Sequence, residues 1–475
     1  MCALPDSLIH GSTTTSAVLL ATTPACRLLS GDGTLLDRLG DQLAALPVRD
    51  VQVVSPGGGL GADLRGVAEI ARAAGGALAV LPADLVAHTE ALATVLEHPA
   101  RDTCALVSHD AAAAPMRPPV RVEGGKVVAA GSSFHLVPEA NGTFRGVLQA
   151  GEADLASLAD VAEELAELAD TGKLGPVTPV EAVDLLLVGL VRSGVPVRAA
   201  GIGRLHADRV TGQNAADAAV TRLAEVDEAQ VKLDASVKED DGFFATFFVS
   251  SWTRHLIKPL VRLRVTPNTV TGISVAVALL AAVWFSAGTH GGRLTGAVLL
   301  YLSFALDCLD GQLARYTRTF SPLGAWADGM GDRLKEYAVY VGLAAGFGGS
   351  GIWYLAVAAM ILQVVRHALD YTYAGAAADA VRVGAAWGRP ARSLLETRDT
   401  RGTASGVLGL AQRLERDTVA RWLKKIIVLP IGERMALIAV TAAGWNARVT
   451  FLALLGWGGV AALYQLSGRI ARSAR

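Results

Sequence analysis

Between Pro267 and Gln465 the chain repeatedly offers apolar stretches suited to helices in lipid. Four aspartates, Asp307, Asp310, Asp328 and Asp332, nevertheless fall in one segment, DCLDGQLARYTRTFSPLGAWADGMGD, which runs straight on from such a stretch. Carboxylates beside lipid-compatible sequence are costly unless something positive sits between them. Divalent cations, together with a substrate that carries its own phosphates, are the economical partners. The pattern points to chemistry on an anionic substrate at a membrane surface.

The spacing sharpens this. Asp307, Asp310, Gly311 and Ala314 recur at i, i+3, i+4 and i+7, so one helical stripe carries two carboxylates and two small residues. Gly324, Asp328 and Asp332 are spaced by four and form a second stripe, after a link whose Ser321 and Pro322 suit a helix start. Folded antiparallel, the stripes face each other. Carboxylate oxygens suit Mg²⁺ or Mn²⁺, and two such ions would clamp a diphosphate. Gly311 and Ala314 remove bulk, Arg315 offers a planar fork to a phosphate, and an aspartate not saturated by metal can accept a proton. Simple pairing with Arg315, Arg318, Arg333 or Lys335 would explain any single aspartate, but not eight residues (Asp307, Asp310, Gly311, Ala314, Arg315, Gly324, Asp328 and Asp332) at this spacing.

The 475 residues carry a formal net charge of -1, and 52% are hydrophobic. Before Asp241, short apolar runs alternate with helical patterns, as in an α/β domain. Ser16–Ala21, Val51–Ser55, Ala77–Leu81 and Thr103–Ser108 read as strands, and Leu35–Ala45, Leu60–Ala73, Thr89–Leu96, Asp154–Leu168 and Pro179–Arg192 as helices. The alternation predicts a mostly parallel sheet covered on both faces. Ala215–Val237 reads as a charged helix and linker, and Phe243–Leu263, with Arg254, His255, Lys258 and Arg262, as a helix in the membrane interface. The expected division is an α/β domain over 1–230, a linker and interfacial helix over 231–266, and an all-α polytopic membrane domain over 267–475.

About six spans are expected: Asn268–Ala287, Leu294–Arg315, Lys335–Phe347, Ile352–Tyr371, Glu433–Trp445 and Arg448–Gln465. Lysine and arginine gather at one set of ends, which puts both termini, the aspartates and the polar insert Ala374–Thr418 on the cytoplasmic side of a cell membrane. The insert reads as partly disordered. Met1–His10 lacks a basic start followed by an apolar core, so attachment is expected from internal segments. The scattered Cys2, Cys26, Cys104 and Cys308 suggest reduced thiols, and no aromatic-basic platform points to nucleic acid.

The stretch Asp307–Asp332 resembles the signature of the CDP-alcohol phosphotransferase family, D-x2-D-G-x2-A-R-x8-G-x3-D-x3-D, with every fixed position matched. The resemblance implies a six-helix membrane enzyme that moves a phospho-alcohol from a CDP-alcohol to an acceptor hydroxyl and releases CMP. It implies that Asp307, Asp310 and Asp328 bind metal, with Asp332 near the metals and acting as general base. Gly311, Ala314, Arg315 and Gly324, with Asp310, would line the CDP site, and a homodimer is implied. The runs DGFFATFFVSSWTRHLIKPLVRLRVTPNTVT and LKKIIVLPIGER resemble the branch that includes di-myo-inositol phosphate phosphate synthases, in which a cytidylyltransferase domain precedes the membrane domain. An acceptor bearing a phosphate would need cations, and Arg366, Lys424, Lys425 and Arg434 are the candidates.

The first domain resembles a nucleotidyltransferase whose loop has departed from the pattern. Thr22, Thr23, Pro24 and Ala25 stand where glycines should supply backbone N–H donors, although Arg27 keeps a basic position. Asp84 is the candidate metal ligand there, against a turn or cap role. Pro56–Gly61, PGGGLG, lacks the Walker lysine and reads as a turn. The expectation is a degenerate domain. The rival readings are a bifunctional enzyme that also makes the CDP-alcohol, a membrane prenyltransferase, and a non-enzymatic scaffold that senses nucleotides.

Overall fold

The computed structural model describes residues 15–98, 100–110, 112, 114, 116–237, 242–386, 392–397, 422 and 425–473. They form two compact units. One is built on residues up to Val231 together with the segment 392–397, the other on Lys232–Asp379 and the described residues after Gly402. Most of the insert expected to be disordered, and Lys424, lie outside the described residues.

In the first unit, β1 (Thr15–Leu20) is followed by the short hairpin β2 (Leu29–Ser30) and β3 (Gly33–Thr34), then α1 (Leu35–Ala44) and β4 (Val48–Val54). Thr34 starts α1 with a capping box: its Oγ1 accepts from the Asp37 backbone N–H, and Asp37 Oδ2 accepts from the Thr34 N–H at 2.9 Å. Next come α2 (Leu60–Ala73), β5 (Leu78–Pro82), β6 (Leu85–Ala87), α3 (Thr89–Leu96), β7 (Cys104–Ser108), β8 (Pro119–Glu123), β9 (Lys126–Ala130) and β10 (Gly142–Ala150). The unit continues with α4 (Leu155–Asp170), α5 (Ala182–Arg192), β11 (Val197–Gly201), β12 (Ala207–Arg209) and α6 (Gln213–Ala224).

Eight strands form one sheet in the order β4-β1-β5-β10-β7-β11-β9-β8. Successive side chains of β1 face opposite ways: Val18 and Leu20 join the core beneath α2, α4 and α5, while Ala17 and Leu19 join the core beneath α1 and α3. Both faces are thus covered, as expected for buried strands such as LAVLP. The sheet is mixed rather than mostly parallel. β4, β1, β5, β7 and β11 run one way, but β10 is inserted antiparallel between β5 and β7, and the β8–β9 hairpin closes one edge. PGGGLG is a turn into α2, with Gly58 and Gly59 at positive φ and Asp63 accepting from the Gly57 N–H.

The segment 392–397 packs on this unit. Leu394 is 4% exposed within its core, Arg192 Nη1 donates to the Ser393 carbonyl at 2.8 Å, and His135 Nε2 donates to the Leu394 carbonyl at 2.7 Å.

The second unit is helical: α7 (Glu228–Ala235), α8 (Ser250–Arg262), α9 (Pro267–Ser286), α10 (His290–Thr317), α11 (Pro322–Phe347), α12 (Ser350–Ala386), α13 (Ile431–Gly444) and α14 (Ala447–Ser473). A π-helical turn, Ala245–Val249, leads into α8, where Phe247, Phe248, Trp252 and Leu256 are exposed. α9, α10, α12 and α14 contain segments long and apolar enough to cross a membrane, so four of the six expected spans meet that standard. The expected spans Lys335–Phe347 and Glu433–Trp445 fall in helices that do not, because α11 carries a run of charges and α13 has 14 residues. α10 packs against α8, α9 and α13, and α11 packs against α9. The α9–α11 approach is close: a Cβ on Gly342 would lie 2.2 Å from the Ala282 carbonyl oxygen.

His135 gives the first unit a pH-dependent term. Burial, opposed by its bond to the Leu394 carbonyl, pushes its pKa down to about 4, below the ordinary value of 6.5. The unfolded chain binds the proton in that window and the native one does not, so this contribution is complete above pH 6.5 and is lost as pH falls towards 4. Its size is on the order of 3 kcal/mol. Asp184, which burial raises to about 7, acts in the opposite sense. The readout is therefore the difference between wild type and His135→Gln in denaturant melts: it should widen from pH 4 to 6.5, and a constant difference would contradict this account.

Candidate functional site

The site begins with how two helices are joined. α10 ends where Arg318 takes a left-handed conformation at φ 55 and its N–H reaches back to the Ala314 carbonyl. Three residues later Ser321 caps α11, its Oγ accepting from the Gly324 N–H at 2.9 Å, and Pro322 occupies the first turn. This turn brings the two stripes face to face. Single carboxylate oxygens of Asp307, Asp310 and Asp328 all lie within 4.8 Å of one another, the one such group of metal-ligating side chains among the described residues. Asp310 is 5% exposed and accepts from Thr271 Oγ1 on α9 at 2.5 Å, which fixes its rotamer and leaves its other oxygen available. Three hard oxygen donors on rigid helices fit a divalent ion such as Mg²⁺ or Mn²⁺.

Asp332 stands apart from that triad. Its Oδ1 lies 3.0 Å from Lys335 Nζ, which also contacts Asp307 Oδ1 and donates to Ser274 Oγ at 3.3 Å. Lys335 is 4% exposed, so this ammonium is a built part of the cluster. Gly324 packs against α9: a Cβ there would sit 2.9 Å from Asn268 Oδ1. Gly311 is bare backbone beside the Arg315 guanidinium, Ala314 is half-buried on the same stripe, and Arg315 Nε donates to the Ser236 carbonyl.

A second group of cations borders the aspartates. A cavity of about 300 Å³ is lined by Asp332, Arg333, Arg366, His367, Asp370 and Arg434 among others. Arg366 Nη2 donates to the Val428 carbonyl at 2.7 Å, while its buried Nε and His367 Nδ1 have no hydrogen-bond partner among the described residues. Arg434 is held by Glu336 through two bonds, Nε to Oε1 at 3.0 Å and Nη2 to Oε2 at 3.1 Å, and the Tyr340 hydroxyl donates to Oε1 at 2.7 Å. Arg366 and Arg434 thus share one cavity with Asp332. Lys425 instead lies over the Trp422 ring, 4.8 Å from its centre, and does not line the cavity. Sequence reasoning missed Thr271, Glu336 and His367, and treated Lys335 only as a possible charge partner; its place three residues after Asp332, on the same helix face, was the available signal.

In the α/β unit Asp84 and Asp208 are already taken. Both oxygens of Asp84 are bound by Arg209, Nε at 2.8 Å and Nη2 at 3.0 Å, and Thr23 Oγ1 donates to it at 3.3 Å. Asp208 receives Arg117 at 2.6 Å and both Arg145 and Arg222 at 3.0 Å. These guanidinium forks saturate the oxygens that a metal would need, so the residues around Asp84 do not fit a divalent ion. Arg27 is exposed at the end of the 3-10 turn Pro24–Arg27.

Comparison with known proteins gives the following. Residues 264–397 match the family described as CDP-alcohol phosphatidyltransferase. The chain is 32% identical over 146 residues to the phosphatidylinositol phosphate synthase of Mycobacteroides abscessus, covering 30% of this chain and 65% of that one. It is 35% identical over 89 residues to the archaetidylinositol phosphate synthase of Pyrococcus horikoshii, covering 19% and 46%. The chain therefore spans less than two thirds of the length of either relative. Among solved structures, the inositol-1-phosphate CTP transferase from T. maritima aligns with 46% of this chain and 98% of that one, at 13% identity and a TM-score of 0.32.

Removing Arg209 would leave Asp84 buried and unpaired. Arg209→Ala should destabilise the α/β unit by about 3–5 kcal/mol in denaturant melts. The full chain should release no pyrophosphate from CTP and an alcohol phosphate at any Mg²⁺ concentration. Metal-dependent turnover would show that the arginine pairs yield to an ion.

Proposed function

We propose that this chain, which carries a CDP-alcohol phosphatidyltransferase domain at residues 264–397, is an integral membrane phosphotransferase that moves a phospho-alcohol group from a CDP-alcohol to an acceptor hydroxyl. The observation that carries the reading is the convergence of Asp307, Asp310 and Asp328 from two helices, beside the small residues Gly311 and Ala314.

In this reading the acceptor oxygen attacks the phosphorus that bears the donor's alcohol. A new P–O bond forms, the bond to the bridging oxygen of the diphosphate breaks, and CMP leaves with that oxygen. Asp332, kept out of the triad, takes the proton of the attacking hydroxyl. Asp307, Asp310 and Asp328 would hold the divalent metal, and Asp310, Gly311, Ala314, Arg315 and Gly324 would form the wall for the CDP moiety. Bound Mg²⁺ or Mn²⁺, two ions in the complex with donor, would offset the charge that develops on the departing CMP.

The acceptor is read as an alcohol carrying its own phosphate. Arg366, Arg434 and His367 line the cavity next to Asp332, and the two relatives are named as a phosphatidylinositol phosphate synthase and an archaetidylinositol phosphate synthase. The product is thus a phospholipid or an inositol phosphodiester. Lys424 and Lys425 stay as outer cations for the same headgroup. Positive residues at one set of helix ends support a cytoplasmic site in the cell membrane, and the family resemblance supports a homodimer in contact with lipid. The bifunctional alternative keeps the fold of the α/β unit in its favour, but the occupied oxygens of Asp84 favour a domain without nucleotidyl transfer.

Purified protein supplied with a panel of CDP-alcohols and phosphorylated acceptors should release CMP only with a divalent cation. Asp332→Asn should lower that rate by roughly 10²–10⁴-fold while retaining Mn²⁺ binding. Arg366→Ala should raise the acceptor KM by about 10–100-fold with a smaller change in kcat, as expected for losing a hydrogen bond to a charged group. CMP release by Asp332→Asn at the wild-type rate would remove Asp332 from the mechanism.

A further inference from the structure

Lys335 is the least expected member of the cluster. Its ammonium is buried where three helices meet, reaching Asp307 on α10, Asp332 on its own helix α11, and Ser274 on α9. Ser274 is itself buried and donates to the Ser303 carbonyl at 3.0 Å, so it presents an oxygen to the ammonium. An ammonium has three donors and no acceptor; here it donates to Asp307 and Ser274, and Asp332 Oδ1 lies at ion-pair distance, 3.0 Å. The Asp307–Asp332 pair therefore already has a cation between its two carboxylates. The triad shares Asp307 with this pair and takes its other two oxygens from Asp310 and Asp328.

We infer that Lys335 is a resident cation that holds the second divalent-metal position between Asp307 and Asp332 until the donor's diphosphate is present. The proposal rests on the phosphotransferase reading and adds an order of binding to it. Without nucleotide, the triad takes one ion while Lys335 neutralises Asp307 and Asp332. A second ion at that pair would bring two further charges beside the ammonium, and in a site with little water that repulsion is weakly screened. A nucleoside diphosphate supplies the negative charge that offsets both. Lys335 then exchanges its carboxylate contact for a phosphate oxygen, and the pair becomes available. The device keeps Asp332 paired, and out of the metal triad, while no substrate is bound.

The test counts Mn²⁺ bound to the full-length protein in detergent, by equilibrium dialysis and by electron paramagnetic resonance, with CDP as the nucleotide probe. Wild type should bind one Mn²⁺ per chain without CDP and two with it. Lys335→Met should bind two without nucleotide, and Lys335→Arg, which keeps the charge, should bind one. If Lys335→Met fails to fold, as judged by its melt, the wild-type count with and without CDP still decides. Two ions in nucleotide-free wild type, or one ion in wild type with saturating CDP, would overturn the proposal. So would a single ion in folded, nucleotide-free Lys335→Met. The phosphotransferase reading fails separately, if wild type that shows the expected counts releases no CMP with any donor and acceptor in the panel.

Discussion

Four carboxylates on two neighbouring helices repel one another, and the helical unit holds them together through groups contributed by α9. Thr271 donates to Asp310, Ser274 shares the Lys335 ammonium, and Asn268 packs where Gly324 has no side chain. α9 therefore acts as a platform that sets both the rotamer of a candidate metal ligand and the spacing of α10 from α11. The close backbone approach of α9 and α11 at Gly342 extends the same contact further along the helices. Rigid elements of this kind hold ligand oxygens more accurately than loops can, which is why the triad sits on helices and not in the link between them.

The two units treat buried carboxylates in opposite ways. In the α/β unit, Asp84 and Asp208 are surrounded by arginines whose planar forks satisfy their oxygens, and the result is a closed ionic network. In the helical unit, one lysine serves two aspartates and three carboxylate oxygens face one another. Arginine geometry saturates a carboxylate, whereas a single ammonium leaves lone pairs over. The first arrangement suits stability and the second suits exchange of ligands. That contrast supports the helical unit as the seat of the proposed chemistry, even though the α/β unit has the larger core.

The sequence made the helical stripe legible because helix spacing is local. Asp307, Asp310, Gly311 and Ala314 fall on one face for any chain that is helical there, and Ser321 and Pro322 mark the next start. Strands β1, β4, β5 and β7 were legible as short apolar runs. β10 was not: GTFRGVLQA mixes glycine, arginine and glutamine with apolar residues, and its ladder is interrupted near Gly146, which has φ 81. A strand buried along its whole length shows no alternation to read. The pairing of Asp84 with Arg209 could not be read either, because nothing local links residues 125 positions apart. The pairing of Glu336 with Arg434, 98 positions apart, escaped notice for the same reason.

Of the two expected spans that do not meet the standard, α13 is too short, whereas α11 fails through the way hydropathy is averaged. α11 has 26 residues, or about 39 Å at the usual helical rise, so length does not exclude it. Most of its charges share one side: Asp328, Asp332, Lys335 and Glu336 follow i, i+4, i+7 and i+8, while Arg333 at i+5 lies away from them. The opposite side carries Trp326 and Leu334, which are 63% and 51% exposed. A window mean mixes the two faces and reports a moderately polar helix, although each face by itself is strongly biased. The polar face is the one that carries Asp328, Asp332 and Lys335 to the cluster, so the feature that lowers the hydropathy of α11 is the same one that builds the site.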